Sequence, residues 1–199
     1  MTDFALAPTE DDVFKALGDF LQDILPPQDP AGSPIELFIV VAGQENRVPE
    51  PKQKNFIVFI PLRMPRLATN FEHLVGTGPQ QGLVQSIKQN TEVVFQIDVH
   101  GPEAFNNANR ISTLFRSSYA ADYFEAKGKP IAPLFADDPR QAQFTDGEQQ
   151  YEDRYIIEAH LQVNFTVTAV TQSARELAVD IIDVETPPLS WPNSTATAP

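Results

Sequence analysis

The first pattern in the chain is a run of apolar residues at helical spacing near its beginning. Apolar side chains recur every three or four positions from Val13 to Leu25. Thr9 and three successive acids precede them, which suits a helix N-terminus, and Pro26-Pro27 follows, which ends a helix. The pattern predicts an amphipathic helix that lies on an apolar surface.

A second helical pattern occupies the middle of the chain. Pro102 stands where a first helical turn tolerates proline, and an apolar stripe runs from Phe105 through Tyr119 toward Phe124. Gly128 and the proline two residues later close the pattern. One continuous amphipathic helix is predicted here.

Strand patterns lie on both sides of the second helix. Apolar and polar residues alternate from Tyr151 to Phe165 and from Val93 to Val99, which is typical of half-buried strands. Two further segments, Ile35 to Ala42 and Phe56 to Leu62, are apolar on both faces, so we expect them to lie centrally or to be covered on two sides. A last strand is predicted over Ala178 to Val184.

These elements define a fold class. Helices and strands do not alternate strictly, which disfavours a doubly wound nucleotide-binding fold. We predict an α+β fold, with a mostly antiparallel sheet and two main amphipathic helices packed on one face. A chain of 199 residues can bury a core of its own. We assign residues 1–185 to a single domain and residues 186–199 to a flexible C-terminal tail, because that end has no apolar periodicity.

Composition narrows the class of protein further. The chain has no cysteine, which excludes disulfides, thiolate zinc sites and a cysteine nucleophile. It has neither an apolar run long enough to span a membrane nor a signal-peptide pattern, so we expect a soluble protein that is made in the cytoplasm and has no membrane partner. A formal net charge of −13 argues against binding to the phosphates of nucleic acid.

The charge is distributed in blocks of opposite sign. The first 36 residues carry eight acids and a single lysine, whereas the segment from Arg47 to Lys88 contains six bases and two acids. Such blocks can pair with other segments of the same chain or with further copies of it. The alternative is that they are solvated faces that happen to differ in sign.

Candidate catalytic chemistry is weak throughout. His73, His100 and His160 come from different segments, and the spacing does not bring them to one metal ion, so no metal site is predicted. Paired carboxylates are common by chance in so acidic a chain, and neither a nucleophile elbow nor a phosphate-binding loop is present. We predict no catalytic residue, no cofactor and no enzymatic activity.

One polar segment, from Pro130 to Tyr155, has the composition of a contact surface. We predict a short strand, a turn at Asp138-Pro139, a second turn at Asp146-Gly147 and entry into the long strand. The segment contains residue types that anchor interfaces, although it is equally consistent with a polar connection. Together with the basic block, it supplies our predicted subunit interface: Arg47, Arg63, Arg66, Arg140, Gln141, Phe144, Tyr151 and Arg154.

Several short motifs, taken in order, resemble those of the neck or tail terminator proteins of tailed bacteriophages. The resemblance covers about residues 10 to 185, and it rests on the order and spacing of these motifs, since none is diagnostic alone. They are Asn46-Arg47-Val48-Pro49-Glu50-Pro51, Gly101-Pro102, Ile111-Ser112-Thr113-Leu114-Phe115-Arg116, Asp138-Pro139-Arg140-Gln141 and Gly147-Glu148-Gln149-Gln150-Tyr151-Glu152-Asp153-Arg154.

This resemblance implies a structural protein of the virion. Such proteins are α+β subunits of a hexameric ring that caps the tail tube beneath the head connector, with DNA passing through the hole. The implied partners are copies of the chain itself, tail tube or sheath proteins and neck proteins, with no specific binding to DNA, and the implied location is the tail or neck of a virion assembled in the host cytoplasm. The alternatives are a head-completion or stopper ring protein, a small acidic protein-binding module and, third, an enzyme.

Overall fold

A computed structural model describes residues 4–25, 38–41, 55–76, 83–145 and 151–171 of the chain. The described residues form three helices and eight strands. In chain order these are β1 Phe4–Ala7, α1 Glu10–Ile24, β2 Phe38–Val41, β3 Phe56–Arg63, β4 Phe71–Gly76, β5 Leu83–His100, α2 Ala104–Phe115, α3 Ser118–Ala126, β6 Ile131–Ala136, β7 Arg140–Thr145 and β8 Tyr151–Thr171. None of the described helices is both long enough and apolar enough to cross a membrane.

The sheet is built on one long antiparallel pair. β5 and β8 pair without a shift in register from Leu83 opposite Thr171 to His100 opposite Arg154. The strand order is β1-β8-β5-β3-β2, with β4 on β5 and both β6 and β7 on β8. Every pairing among these strands is antiparallel except that of β2 with β3. The predicted α+β class and mostly antiparallel sheet are therefore confirmed.

All three described helices pack on one face of this sheet, as predicted. That face carries the odd-numbered residues of β5 and β8, because side chains alternate along a strand. Phe95 and Ile97 of β5 and Leu161 of β8 are fully buried there. From the helices, Phe20 lies at the centre of an aromatic group in which the ring centroids of Phe115, Tyr123 and Phe124 are 5.3 to 5.7 Å from its own. The core of the molecule is the layer between helices and sheet.

The start of α1 follows the sequence pattern closely. Thr9 caps the helix: its hydroxyl accepts from the Asp12 amide at 3.3 Å, and the Asp12 carboxylate accepts from the Thr9 amide at 3.0 Å. Lys129 also donates to this carboxylate at 2.6 Å, and that contact is the first cause of an Asp12 pKa well below its usual value. The acidic start of the helix is thus tied to the link between α3 and β6.

The second helix differs from its prediction, because it is divided in two. α2 ends at Phe115, and α3 begins at Ser118 after an extended Ser117 whose hydroxyl donates to the Leu114 carbonyl at 2.6 Å. Within the predicted stripe Ala108, Ile111 and Phe115 are buried, whereas Phe105 and Tyr119 are 59% and 44% exposed. The break redirects the chain so that Phe115 and Phe124 both reach Phe20.

The strands are longer and more numerous than the sequence pattern indicates. β6 confirms the short strand predicted after Pro130, whereas β1, β4 and β7, which lies between the turns predicted at Asp138-Pro139 and Asp146-Gly147, were not predicted. β3 lies between β2 and β5 as expected for an apolar strand, but β2 is the last strand on the described path. The predicted turn at Asp146-Gly147, the strand Ala178 to Val184, the domain boundary at residue 185 and the tail 186–199 lie outside the described residues.

Two regions can be distinguished along the β5–β8 pair. We call the body the three helices with β3, β6, β7 and the paired segments 91–100 and 154–163. We call the distal sheet β1, β4 and the paired segments 83–88 and 166–171, which form four neighbouring strands in the order β4-β5-β8-β1. None of the described helices covers the distal sheet, and its large apolar side chains include several that are mostly exposed.

Candidate subunit contacts and a polar cluster on the sheet

Two of the predicted interface arginines converge on one carboxylate of their own chain. Arg140 on β7 donates to Glu158 Oε1 at 2.9 Å, and Arg63 at the end of β3 lies 3.8 Å from Glu158 Oε2. Both arginine side chains are more than half exposed, at 62% and 58%. They therefore remain accessible to a partner, and exposed ion pairs of this kind contribute little to the stability of the fold.

Arg154, another predicted interface residue, pairs with a side chain of the neighbouring strand β5. Its guanidinium donates to Asp98 Oδ2 at 2.8 Å, and both side chains are mostly buried. Gln96 also donates to this carboxylate, at 2.9 and 3.1 Å to its two oxygens. Next to the pair, His100 stacks on Phe56 with ring centroids 4.4 Å apart. Burial, and secondly the nearby Arg154, lower the pKa of His100 to about 4.

The remaining predicted interface residues are dispersed. Arg66 is exposed in a segment whose backbone bridges to Thr91, and Gln141 is exposed on β7. The backbones of Phe144 and Tyr151 lie in the β7–β8 ladder, at Phe144 opposite Glu152 and Thr145 opposite Tyr151. Arg47 lies outside the described residues. The assignment of these positions to a subunit interface stays a prediction.

The acidic face of α1 pairs with the same chain. Asp12 contacts Lys129, Asp19 contacts Lys127 at 3.4 Å, and the Tyr119 hydroxyl donates to Asp23. This last hydrogen bond is the first cause of a raised pKa of Tyr119. Three carboxylates of the acidic block are therefore occupied in the described subunit, which leaves less of that block for a neighbouring copy.

A cluster of titratable side chains lies on the sheet face opposite the helices. Asp137, in the link between β6 and β7, reaches Glu158 and His160 of β8, and each residue offers a ligand atom within 4.8 Å of those of the other two. His160 is buried, stacks against Phe135 with centroids 4.0 Å apart and contacts Glu92 Oε1 through Nδ1 at 2.5 Å. Sequence reasoning searched for several convergent histidines and therefore missed a cluster that combines one histidine with carboxylates.

The helix-side face of the distal sheet carries several exposed apolar side chains beside the polar pair Gln85 and Glu72. Register places Phe4 and Leu6 of β1, Val167 of β8, Ile87 of β5 and Leu74 of β4 on this face, in adjacent strands. Phe4 is 66% exposed, Leu6 53% and Leu74 58%. Contiguous exposed apolar surface of this kind is typical of a protein-contact site.

A groove connects this face with the body. It has a volume of about 630 Å³ and lies between the first turn of α1 and the two long strands. Its apolar lining includes Leu6, Val13, Phe14, Ile87 and Phe165.

The alternation of large and small apolar residues from Phe4 to Ala7 was the signal in the sequence that could have identified β1. Four residues are too few to distinguish a strand from a loop.

The described residues thus define an α+β fold with one covered sheet face and an apolar extension suited to contacts with other proteins. Residues 11–188 match the model of a protein family described as "Phage neck terminator protein". Because this match spans most of the chain, the protein belongs to the phage neck terminator family. Membership implies a structural location at the tail or neck of the virion and contacts with other phage tail or neck proteins. A search of curated proteins found no match to this chain.

Proposed function

We propose that this protein is the subunit of a ring, most simply a hexamer, that caps the phage tail tube and joins it to the head connector. Its role is structural, without enzymatic activity, and the ring is assembled in the host cytoplasm before it becomes part of the virion. Family membership supports the location at the neck, and the hexamer follows from the resemblance of the sequence motifs.

The observation that carries self-association is the uncovered apolar face of the distal sheet. Leu6 and Leu74 stand on the two outer strands of that four-stranded region, and each is more than half exposed. Burial of such surface against another protein is favourable by about 25 cal/mol per Å². A second copy of the chain is the occupant we propose, because a closed ring presents the same surface on every subunit to its neighbour.

The net charge is consistent with DNA passing through such a ring. Duplex DNA carries about one negative charge per 1.7 Å, and a protein that grips it needs a basic surface. With 14 bases against 27 acids, this chain has no excess of positive charge to form one. An acidic wall would repel the duplex and allow it to slide without specific binding.

A pair of variants on opposite faces of the distal sheet tests the proposal. Leu74→Glu places a charge on the helix-side face, whereas Val170→Glu places the same charge on the opposite face at a side chain that is 62% exposed. We expect Leu74→Glu to weaken self-association about tenfold or more, as removal of a central contact does, and Val170→Glu to have a much smaller effect. Native mass spectrometry across a concentration series measures both.

A wild-type chain that stays monomeric at all concentrations and is absent from purified virions would overturn the proposal. Self-association that is unchanged in Leu74→Glu, or weakened more by Val170→Glu, would remove the helix-side face from the interface. Reconstruction of the neck from virions also separates the two phage candidates, because it shows whether the ring caps the tail tube.

A further inference from the structure

The cluster of Asp137, Glu158 and His160 has the composition of a metal site. One ligand atom from each side chain lies within 4.8 Å of the other two. Metal–ligand bonds of about 2.0 to 2.2 Å place neighbouring ligands roughly 3 to 3.5 Å apart, so modest side-chain rotations bring the three onto one ion. A buried histidine, His160, distinguishes this cluster from a group of surface carboxylates.

His160 has one nitrogen engaged and one without a partner. Its side chain is only 5% exposed, and Nδ1 contacts Glu92 Oε1 at 2.5 Å. Nε2 is buried and has no hydrogen-bond partner among the described residues. A buried polar atom in this condition is costly unless something binds it. A carboxylate on one ring nitrogen also holds the ring so that the other nitrogen presents its lone pair, as is usual for metal-bound histidines.

The backbone around Asp137 is held in place from two sides. Its amide donates to the Glu158 carbonyl at 2.8 Å, and its carbonyl accepts from the Ser112 hydroxyl of α2 at 3.1 Å. The following residue, Asp138, is tied instead to Arg116 at 3.1 Å, and its side chain is 89% exposed. Asp137 is thus positioned toward the cluster while its neighbour points to solvent, which is the preorganisation that a binding site requires.

The local charge favours a cation. Three carboxylates, those of Glu92, Asp137 and Glu158, lie around His160. Among the described bases, Arg140 at 2.9 Å and Arg63 at 3.8 Å contact Glu158, whereas Arg116 nearby is paired with Asp138 at 3.1 Å. Both guanidinium groups contact Glu158, and both are more than half exposed, which screens their charge. A negative excess therefore remains on the side of Asp137 and His160.

We propose that this cluster binds one divalent transition-metal ion of the Zn²⁺ type, with His160 Nε2 and the carboxylates of Asp137 and Glu158 as ligands. An imidazole with two carboxylates suits Zn²⁺ and its first-row neighbours, whereas Mg²⁺ and Ca²⁺ prefer sites made of oxygen alone. The ion joins β8 to the link between β6 and β7. Its fourth position is open to water or to a residue of another protein in the neck.

Titration of the isolated subunit with Zn²⁺ after treatment with a chelator tests this proposal. Isothermal titration calorimetry of the wild type is expected to show one equivalent bound, and Co²⁺ in place of Zn²⁺ is expected to give the visible absorption of a nitrogen- and oxygen-ligated ion. Asp137→Asn is expected to weaken binding about tenfold or more, and Glu92→Gln, which removes the partner of His160, about 10- to 100-fold. The matched control is Asp138→Asn, which is expected to bind as the wild type does.

The metal-free melting temperatures of Asp137→Asn and Asp138→Asn should agree, which shows that the loss of binding is not a loss of fold. Absence of stoichiometric Zn²⁺ binding to the wild type would overturn the proposal, as would an equal loss in both variants or tighter binding of Mg²⁺ than of Zn²⁺. These measurements use the subunit alone and do not depend on whether it forms a ring, so the two proposals stand or fall separately.

Discussion

The body and the distal sheet are built on the same two strands but differ in what covers them. In the body, Val93, Phe95 and Ile97 of β5 are at most 3% exposed beneath the helices. The same face of β5 continues through Ile87, which is only half-buried, and the neighbouring Leu6 and Leu74 are mostly exposed. The register of β5 on β8 is unchanged across the boundary. Strand pairing therefore extends well beyond the hydrophobic core.

This difference separates two uses of apolar surface. In the body, apolar residues are buried within the subunit and stabilise its fold. In the distal sheet, comparable residues are held in place by backbone pairing while their side chains stay accessible, which suits contact with another protein. Changes in the body should consequently alter folding, whereas changes in the distal sheet should alter association.

The largest effect is expected from removal of the central aromatic ring of the body. Phe20→Ala deletes a fully buried side chain that contacts Phe115 and Phe124, and it should lower the free energy of unfolding by about 3 to 5 kcal/mol. Leu74→Ala in the distal sheet should change it by only about 0.5 kcal/mol or less, because that side chain is mostly exposed. Chemical denaturation of dilute monomer measures both values. Similar losses for the two variants would abolish the distinction between the regions.

A smaller effect is expected from the ion pair inside the sheet. Arg154→Ala leaves the mostly buried Asp98 carboxylate without its guanidinium but with its bonds from Gln96, and it should cost about 1 to 3 kcal/mol of unfolding free energy. Arg140→Ala removes a guanidinium that is 62% exposed and leaves Arg63 beside the same carboxylate, so it should cost about 1 kcal/mol or less. Both arginines were predicted at the subunit interface. If Arg154→Ala weakened association and left monomer stability unchanged, the internal role of Arg154 would be wrong and its interface role correct.

The last effect is a dependence of stability on pH that originates in the body. The pKa of His100 falls from 6.5 to about 4 in the fold, first because of burial and then because of Arg154, while Asp98 acts in the opposite direction. The unfolded chain thus binds a proton at His100 more readily than the folded chain does. The contribution of the neutral His100 to the free energy of unfolding is therefore fully present above pH 6.5, and it is lost as the pH falls toward 4. Denaturation at pH 7, 6, 5 and 4 should show the decline, and His100→Gln should make it less steep.

The control for this measurement is His73→Gln, which replaces an exposed histidine of the distal sheet. We expect its pH profile to follow that of the wild type. A profile that flattens in the His73 variant and not in the His100 variant would transfer the pH dependence from the body to the distal sheet.

The parts of the fold that could be predicted from the sequence are those with long, regular patterns. Thr9 and the acids after it located the start of α1, and the alternation from Tyr151 to Phe165 located most of β8. The same reasoning carried α2 through Ser117 without a break, because the apolar spacing continues while the backbone does not. β1 and β4 were missed since each has only four to six residues, and short strands are recognisable mainly from their neighbours.

The residues of the candidate sites show the same division. The type of residue suggested that Arg63 and Arg140 could take part in contacts. Only the pairing of β3 with β5 and of β5 with β8 brings Arg63 to Glu158, and only the pairing of β7 with β8 brings Arg140 there. Arg154 looked equivalent to them in the sequence. Its position opposite His100 in the ladder places it beside Asp98, on the sheet face opposite the helices. Residue type indicated what each side chain can do, and strand register decided what it contacts.

The sequence by itself determined the α+β class, the helix-bearing face of the sheet and the membership of the phage neck terminator family. These properties depend on local periodicity and on the order of short motifs, both of which can be recognised directly in the sequence. Only the tertiary structure decided which apolar residues are buried, and only it joined Asp137, Glu158 and His160. The reason is that burial and convergence depend on pairings between residues far apart in the chain, and a uniform alternation of apolar residues is compatible with a strand under helices and with one that extends beyond them.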